Sequence, residues 1–218
     1  MASSFPGAID NFTDPLANSS LASPSHAGQH SDLNDAVEKI ETYMGLVKVI
    51  PTSVSSAGGT AATLSATGTV TVGTGNTSVT INNAWSSLYQ NYLVIMRYVV
   101  SSAANPALYV TLGGTATGYY GVTAYWAYDA SGDGTAKRNN GTEWNWGYFG
   151  ANNFSAAWSV MNPNVANRTA YTGGFAGDLY NGTTSGMLAN NTQYTAITFA
   201  PSTGSITGGT IRVYGYRD

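Results

Sequence analysis

Residues 92 to 100 read Tyr-Leu-Val-Ile-Met-Arg-Tyr-Val-Val, so apolar side chains occupy both faces of an extended chain. A single charge, on Arg97, interrupts the run. A short, continuous apolar run bounded by turn signals is typical of a strand in the middle of a sheet. We therefore predict that Tyr92 to Val100 form a central strand that is fully buried.

Further candidate strands lie on both sides of this run, and turn residues separate them. The other segments with strand character span 70–72, 79–81, 108–112, 119–128, 144–149, 158–161, 171–175, 194–199 and 211–216. Asn139-Asn140-Gly141 and Asn181-Gly182 are typical of tight turns between such segments. Short strands at this spacing, with no helical period between them, predict an antiparallel, jelly-roll-like β-sandwich as a head domain over residues 70–218.

Composition supports a folded β domain and excludes several classes of partner. The 218 residues include 15 Tyr, 5 Trp and 6 Phe, whereas disordered segments are poor in aromatic residues. Charged residues form 9% of the chain, against about a quarter in an average domain. No basic run could neutralise phosphates and no apolar run could cross a bilayer, so we expect no nucleic-acid partner and no membrane insertion. A surface so poor in charge favours a chain that is covered by copies of itself.

One segment ahead of the head has a helical period. Apolar residues recur there at spacings of four, three and four, in the set Leu33, Val37, Ile40 and Met44. This is the heptad pattern of a seam between helices, and Ser31 suits the N-cap position. A helix of this length is marginal alone because nucleation is costly. We therefore predict an oligomerisation helix over residues 31–45 that packs against copies of itself.

The chain before this helix lacks a regular period. Its isolated apolar residues are Phe5, Ile9, Phe12 and Leu16. We interpret residues 1–30 as an extended arm that docks these side chains on another protein, with a disordered tail as the alternative. Residues 46–69, rich in Ser, Thr, Ala and Gly, are interpreted as a linker that includes the first strand.

The leader of the chain resembles that of many tailed-bacteriophage virion proteins. The resemblance rests on Phe-Pro-Gly-Ala-Ile-Asp-Asn-Phe-Thr-Asp-Pro at 5–15, His-Ala-Gly-Gln-His at 26–30, Leu-Asn-Asp-Ala-Val-Glu at 33–38 and the closing Gly45. The segment at 209–216 resembles the closing strand of phage β-sandwich heads. Proteins with such leaders are usually tail fibres, minor tail proteins or related surface appendages.

This resemblance implies a homotrimeric structural protein of the virion. Its N-terminal arm would bind another virion protein, and its C-terminal head would be displayed for host attachment. The resemblance does not specify the surface on which the arm docks. A capsid decoration or head-fibre protein, with the arm on the capsid, is therefore the alternative.

Groups that could perform catalysis are scarce in the predicted head. Its carboxylates are Asp129, Asp133, Glu143, Asp178 and Asp218, and it contains no histidine. A glycosidase needs two facing carboxylates, which Asp129 or Asp133 could form only together with Glu143. The first two lie in a turn sequence, so we disfavour a glycan-degrading enzyme and expect a protein without enzymatic activity.

We also expect no cofactor and no metal. His26 and His30 are four residues apart, a spacing that could place two ligands on one helix face. Hydrogen bonding to the backbone near the helix start is the simpler interpretation. The Ser-Gly-Asp-Gly segment at 131–134 lacks the terminal glutamate of a calcium loop, so a hairpin turn is favoured.

Aromatic residues provide the best candidate for a binding surface. Trp144, Trp146 and Tyr148 alternate along one predicted strand and therefore share one face of it, and Trp126 is the further candidate. Aromatic faces stack on sugar rings while nearby amides bond to the sugar hydroxyls. We predict that these four residues bind a neutral or weakly charged host-surface glycan without cleaving it. The alternative is that the rings fill the core or the seam between subunits.

Overall fold

The structure is a computed structural model that describes residues 26–43, 45–129 and 132–216. These residues form two compact units, and the division falls between Val47 and Lys48. The four residues predicted to anchor the arm, Phe5, Ile9, Phe12 and Leu16, lie outside the described residues, as does Met44 of the predicted helical seam.

The first unit contains one α-helix, α1, which spans His26–Tyr43. It begins five residues before the predicted start, so Ser31 lies inside the helix, and the prediction that it is the N-cap is wrong. The helix also runs through Gly28. A single glycine inside a helix costs only about 1 kcal/mol relative to alanine, so it does not end the helix. Among the described residues, no helix is both long enough and apolar enough to span a membrane.

The rest of the described chain is built from β-strands. They are β1 (Val47–Lys48), β2 (Ser53–Gly58), β3 (Thr63–Leu64), β4 (Val70–Thr71), β5 (Asn76–Asn82), β6 (Asn91–Arg97), β7 (Ala107–Leu112), β8 (Tyr119–Ala127), β9 (Gly134–Gly141), β10 (Trp144–Tyr148), β11 (Phe154–Met161), β12 (Thr169–Gly177), β13 (Tyr180–Leu188), β14 (Ile197–Pro201) and β15 (Thr210–Tyr216).

Two antiparallel sheets pack against each other with the hydrophobic core between them. The larger sheet has the order β3-β4-β15-β6-β11-β12-β13-β8-β9, and the smaller has the order β10-β7-β14-β5-β2. From β5 to β15 the chain crosses repeatedly between the sheets, as in a jelly roll. The predicted class, a mainly β antiparallel sandwich, is confirmed.

The strand formed by the apolar run, β6, differs from the predicted central strand in two ways. β6 does lie inside the larger sheet, between β15 and β11. Its side chains alternate in burial, however. Val94 and the other residues on the inner face are buried, whereas Leu93 and Ile95 are half-buried on the outer face. The strand also ends at Arg97 because Tyr98 takes a positive φ of 53°. The prediction of a fully buried strand over 92–100 is therefore wrong.

Four strands were absent from the prediction. β2 and β3 lie within the predicted 46–69 linker, where β2 pairs with β5 and β3 pairs with β4. β9 and β13 contain the Asn139-Asn140-Gly141 and Asn181-Gly182 segments that were interpreted as turns. Both of these strands pair with β8, so this side of the larger sheet is wider than the sequence analysis predicted.

Candidate functional site

Trp144 and Trp146 on β10 are in the hydrophobic core. Both side chains have no exposed surface. The Trp146 ring lies 5.0 Å from the Tyr171 ring and 4.8 Å from the Trp158 ring, and the Trp144 ring lies 4.8 Å from Tyr171. The rings therefore face the larger sheet. Because protein covers both rings completely, no ligand can reach them, and the prediction that these two tryptophans bind a glycan is wrong.

A buried polar network beside these rings explains how β10 is held against the larger sheet. The pairing of β10 with β7 is irregular between Asn145 and Tyr148. The Asn145 carbonyl accepts hydrogen bonds from the hydroxyls of Thr123 (2.6 Å) and Thr184 (3.0 Å). The Tyr171 hydroxyl is 2.9 Å from the Thr184 hydroxyl. These bonds satisfy a buried carbonyl and connect the two sheets.

Tyr148, the third predicted residue of this strand, is half-buried inside a cluster of tyrosines. Its ring lies 4.7 Å from Tyr125 and 5.5 Å from Tyr180, in edge and tilted arrangements. Burial, as the largest cause, raises the pKa of Tyr148 above its ordinary value. The ring is therefore engaged by other rings and presents only part of its surface to solvent.

Trp126, the remaining predicted residue, lies on the opposite face of the larger sheet. Its side chain is 45% exposed, and nearby Tyr128 is 60% exposed. Along β8, buried Tyr119 and Thr123 alternate with outward-facing residues. We call the outward-facing set the β8 outer row: Tyr120, Val122, Ala124 and Trp126.

Polar side chains of the neighbouring strands border the β8 outer row. On β13, Asn181 is opposite Trp126, Thr183 is opposite Ala124 and Ser185 is opposite Val122. On β9, Thr135 is opposite Ala124 and Lys137 is opposite Val122. Tyr120 and Trp126 are six residues apart, which is about 20 Å along a strand. The surface is thus a strip with an aromatic ring near each end and hydroxyl, amide and ammonium groups along both sides.

A shallow groove of about 520 Å³ lies at the Tyr120 end of this strip. Tyr120, Val122 and Met187 supply its apolar lining, and Lys137, Asn139 and Ser185 supply polar groups. Arg138 also borders the groove, but its guanidinium pairs with Glu143 at 3.3 Å and lies 5.1 Å from the centre of the Tyr109 ring.

The carboxylates considered for glycosidase chemistry are far apart. Asp133 precedes β9 and accepts a hydrogen bond from the Ala127 N–H, whereas Glu143 follows β9. They lie beyond opposite ends of β9, whose eight residues span about 26 Å, whereas the two carboxyl groups of a glycosidase are at most about 9.5 Å apart. Asp178 accepts from the Asn152 N–H and so holds a loop. Among the described residues, no group of three or more acidic or histidine side chains could hold a metal.

The helix exposes the described part of its predicted seam. Leu33, Val37 and Ile40 are all substantially exposed apolar side chains on α1. His26 and His30 both lie within the helix, in its first five residues. A helix with three exposed apolar residues at heptad spacing retains a surface on which a partner helix could pack.

Sequence reasoning missed Tyr120, Val122, Lys137 and Met187 as candidate site residues. The signal for the first two was their period of two with Ala124 and Trp126, which places all four residues on one face of a strand. Lys137 and Met187 could not be placed beside them without the strands β9 and β13. Comparison with protein-family models, with curated proteins and with solved structures found no match.

Proposed function

We propose that this chain is a subunit of a bacteriophage virion appendage, of the tail fibre or minor tail protein type. In this proposal the arm anchors the protein to another virion protein, and helices from three copies associate through Leu33, Val37 and Ile40. The β-sandwich then contacts glycans on the host surface without cleaving them. The virion role is supported by the resemblance of the leader at 5–15 and 26–45.

The observation that carries the glycan-binding role is the β8 outer row with its polar borders. Of the five tryptophans, Trp126 is the exposed one, whereas Trp85, Trp144, Trp146 and Trp158 are buried. An exposed aromatic face is suited to stacking on the apolar face of a sugar ring. Asn181, Thr183 and Thr135 supply amide and hydroxyl groups that can exchange hydrogen bonds with sugar hydroxyls.

Weak binding by one head is consistent with this role. Stacking on one ring contributes on the order of 1 kcal/mol beyond the buried area, so a single strip would hold a glycan loosely. Three heads on one appendage, and several appendages on one particle, would raise the avidity by orders of magnitude. A multivalent attachment protein therefore does not need a deep pocket.

The experiment is a competition assay on host cells. Purified protein should occupy the cell surface and reduce adsorption of phage particles, and periodate oxidation of the cell-surface sugars should abolish its binding. Trp126→Ala should lose binding, whereas Ile50→Ala, which removes a different exposed apolar side chain of the second unit, should retain it. Binding that survives both periodate and Trp126→Ala would contradict the proposal.

A further inference from the structure

The groove at the Tyr120 end of the β8 outer row contains polar groups that no described residue engages. The Lys137 ammonium, the Asn139 amide and the Ser185 hydroxyl all line it and form no hydrogen bond or ion pair within the described part of the chain. Exposed groups of this kind are hydrated in the free protein. They are therefore available to a ligand without the loss of an internal bond.

The charge balance of the groove is positive. Arg138 is committed to Glu143, so this pair adds no net charge. None of the described residues that line the groove carries a carboxylate, which leaves the Lys137 ammonium as the uncompensated charge among them. Only 9% of the residues of this chain are charged. The attraction of this ammonium for an anion therefore has little competition from neighbouring charges.

The apolar part of the groove has the dimensions and chemistry of a small-ligand site. The Tyr120 ring, Val122 and Met187 are adjacent because Met187 is opposite Tyr120 in the pairing of β13 with β8. Lys137 is opposite Val122 from the other side. A volume of about 520 Å³ lies within the range of small-molecule sites. One ring-shaped ligand can thus contact the apolar floor while an anionic substituent meets Lys137.

We infer that this groove binds a sugar unit that carries a carboxylate, such as a uronic or sialic acid. This inference rests on the proposed glycan-binding function and specifies the sugar class for it. The Tyr120 ring, Val122 and Met187 contact the apolar face of the sugar, and the Lys137 ammonium pairs with its carboxylate. Asn139 and Ser185 exchange hydrogen bonds with the sugar hydroxyls.

Protection of a sheet edge is the competing explanation for Lys137. β9 is the last strand of the larger sheet, and charged side chains on edge strands oppose aggregation. A charge of either sign opposes aggregation, whereas only a cation binds a carboxylate. Lys137→Glu therefore separates the two roles, and Lys137→Arg preserves both.

The test is calorimetric titration of the full-length protein with polysaccharide from the host surface, before and after chemical reduction of its carboxyl groups to alcohols. We expect reduction to weaken binding by about tenfold or more, as the loss of one charge-assisted contact would. Lys137→Glu should weaken binding of the untreated polysaccharide to a similar extent, and Lys137→Arg should restore it. Arg97→Glu, a charge reversal at the exposed end of β6, is the matched control and should have little effect.

Each outcome separates this inference from the proposed function. Binding that is unchanged by carboxyl reduction or by Lys137→Glu, but lost in Trp126→Ala, would overturn the acidic-sugar assignment and leave the glycan-binding function standing. A soluble Lys137→Glu protein with undiminished binding, together with aggregation of Lys137→Ala, would establish edge protection instead. A protein that binds neither form of the polysaccharide would overturn both proposals.

Discussion

At the scale of single residues, Trp146 and Trp126 represent the two environments of tryptophan in this protein. Trp146 has no exposed surface and contacts the rings of Tyr171 and Trp158. Trp126 is 45% exposed on the outer face of the larger sheet. Truncation of the first leaves a large cavity, whereas truncation of the second removes contacts with solvent and a few neighbours.

We therefore expect Trp146→Ala to lower the free energy of unfolding by about 3–5 kcal/mol, the usual cost of removing a large buried ring. Trp126→Ala should lower it by less than about 1 kcal/mol, as is common for surface substitutions. Denaturant titration of both variants measures the two values. Equal losses would show that Trp126 also contributes to the core.

Buried phenols make stability depend on pH in the alkaline range. Burial, the largest cause in each case, raises the pKa of Tyr119 to about 12 and also raises the pKa of Tyr171. Tyr119 accepts a hydrogen bond from the Leu112 N–H at 2.9 Å. The unfolded chain, with tyrosine pKa values near 10, would release these protons first.

Stability should therefore be fully present below pH 10 and fall as the pH rises from 10 toward 12. The measurement is the free energy of unfolding as a function of pH, followed together with tyrosinate absorbance. Tyr119→Phe should be less stable at neutral pH, because the Leu112 N–H loses its partner, and should show a weaker alkaline decline. A stability that stays constant between pH 10 and 12 would contradict the burial of these phenols.

At the scale of elements, α1 presents an apolar seam without a described partner helix. Leu33, Val37 and Ile40 are exposed at heptad spacing. Ile40→Asp places a charge in this seam, and burial of an unpaired charge is costly, so we expect the proposed oligomer to dissociate. Analytical ultracentrifugation measures the mass. Asn34→Asp adds the same charge at an exposed helix position outside the seam and should leave the oligomer intact.

If the parent protein is a trimer as proposed, a trimer that persists in Ile40→Asp, with the mass of Asn34→Asp also unchanged, would remove the helical seam as the basis of assembly. That result would still permit an oligomer held together by contacts between the β-sandwich heads. The two variants differ in one residue each from the same parent, so a general effect of added negative charge would appear in both.

The strands show which elements can be predicted from sequence and which cannot. β5 to β8, β10 to β12, β14 and β15 carry enough apolar or aromatic residues to be recognised at least in part. β9 has the sequence Gly-Thr-Ala-Lys-Arg-Asn-Asn-Gly, which contains almost no apolar residues. An edge strand with a solvated face needs few apolar residues, so its sequence carries little strand signal. β13 begins with Tyr-Asn-Gly, and local turn propensity predicts a loop there.

Gly182 illustrates why the local signal failed in β13. A side chain at this position would approach the Ala124 carbonyl oxygen to 2.2 Å and the Phe175 ring to 2.8 Å. Glycine is therefore required by packing across the sheet and not by a turn. Such a requirement depends on residues that are distant in sequence, so a reading of neighbouring residues cannot reveal it.

The candidate site was predictable to a similar, limited extent. The alternation of Trp144, Trp146 and Tyr148 does place them on one face, but a period of two cannot distinguish the inner from the outer face. In the structure this face of β10 points toward the larger sheet, on which the smaller sheet packs. Trp126 could be proposed from its residue type, whereas its polar neighbours on β9 and β13 required the sheet order.

At the scale of the whole molecule, the described residues that form the core of the second unit all follow Val47. We therefore expect deletion of residues 1–24 to leave a folded, soluble oligomer that no longer incorporates into particles. Circular dichroism and sedimentation check folding and assembly, and incorporation is scored in purified particles after complementation. Normal incorporation of the truncated protein would show that the arm does not anchor it.

The most direct test of the glycan-contact proposal uses the distribution of the tryptophans. Because Trp126 is the one exposed indole, a soluble quencher such as iodide should reach mainly this residue, and Trp126→Phe should remove most of the quenchable fluorescence. If glycans bind on the β8 outer row, host-surface polysaccharide should protect the Trp126 fluorescence from iodide at concentrations that saturate binding. Saturated binding with Trp126 as accessible as in the free protein would contradict the proposal.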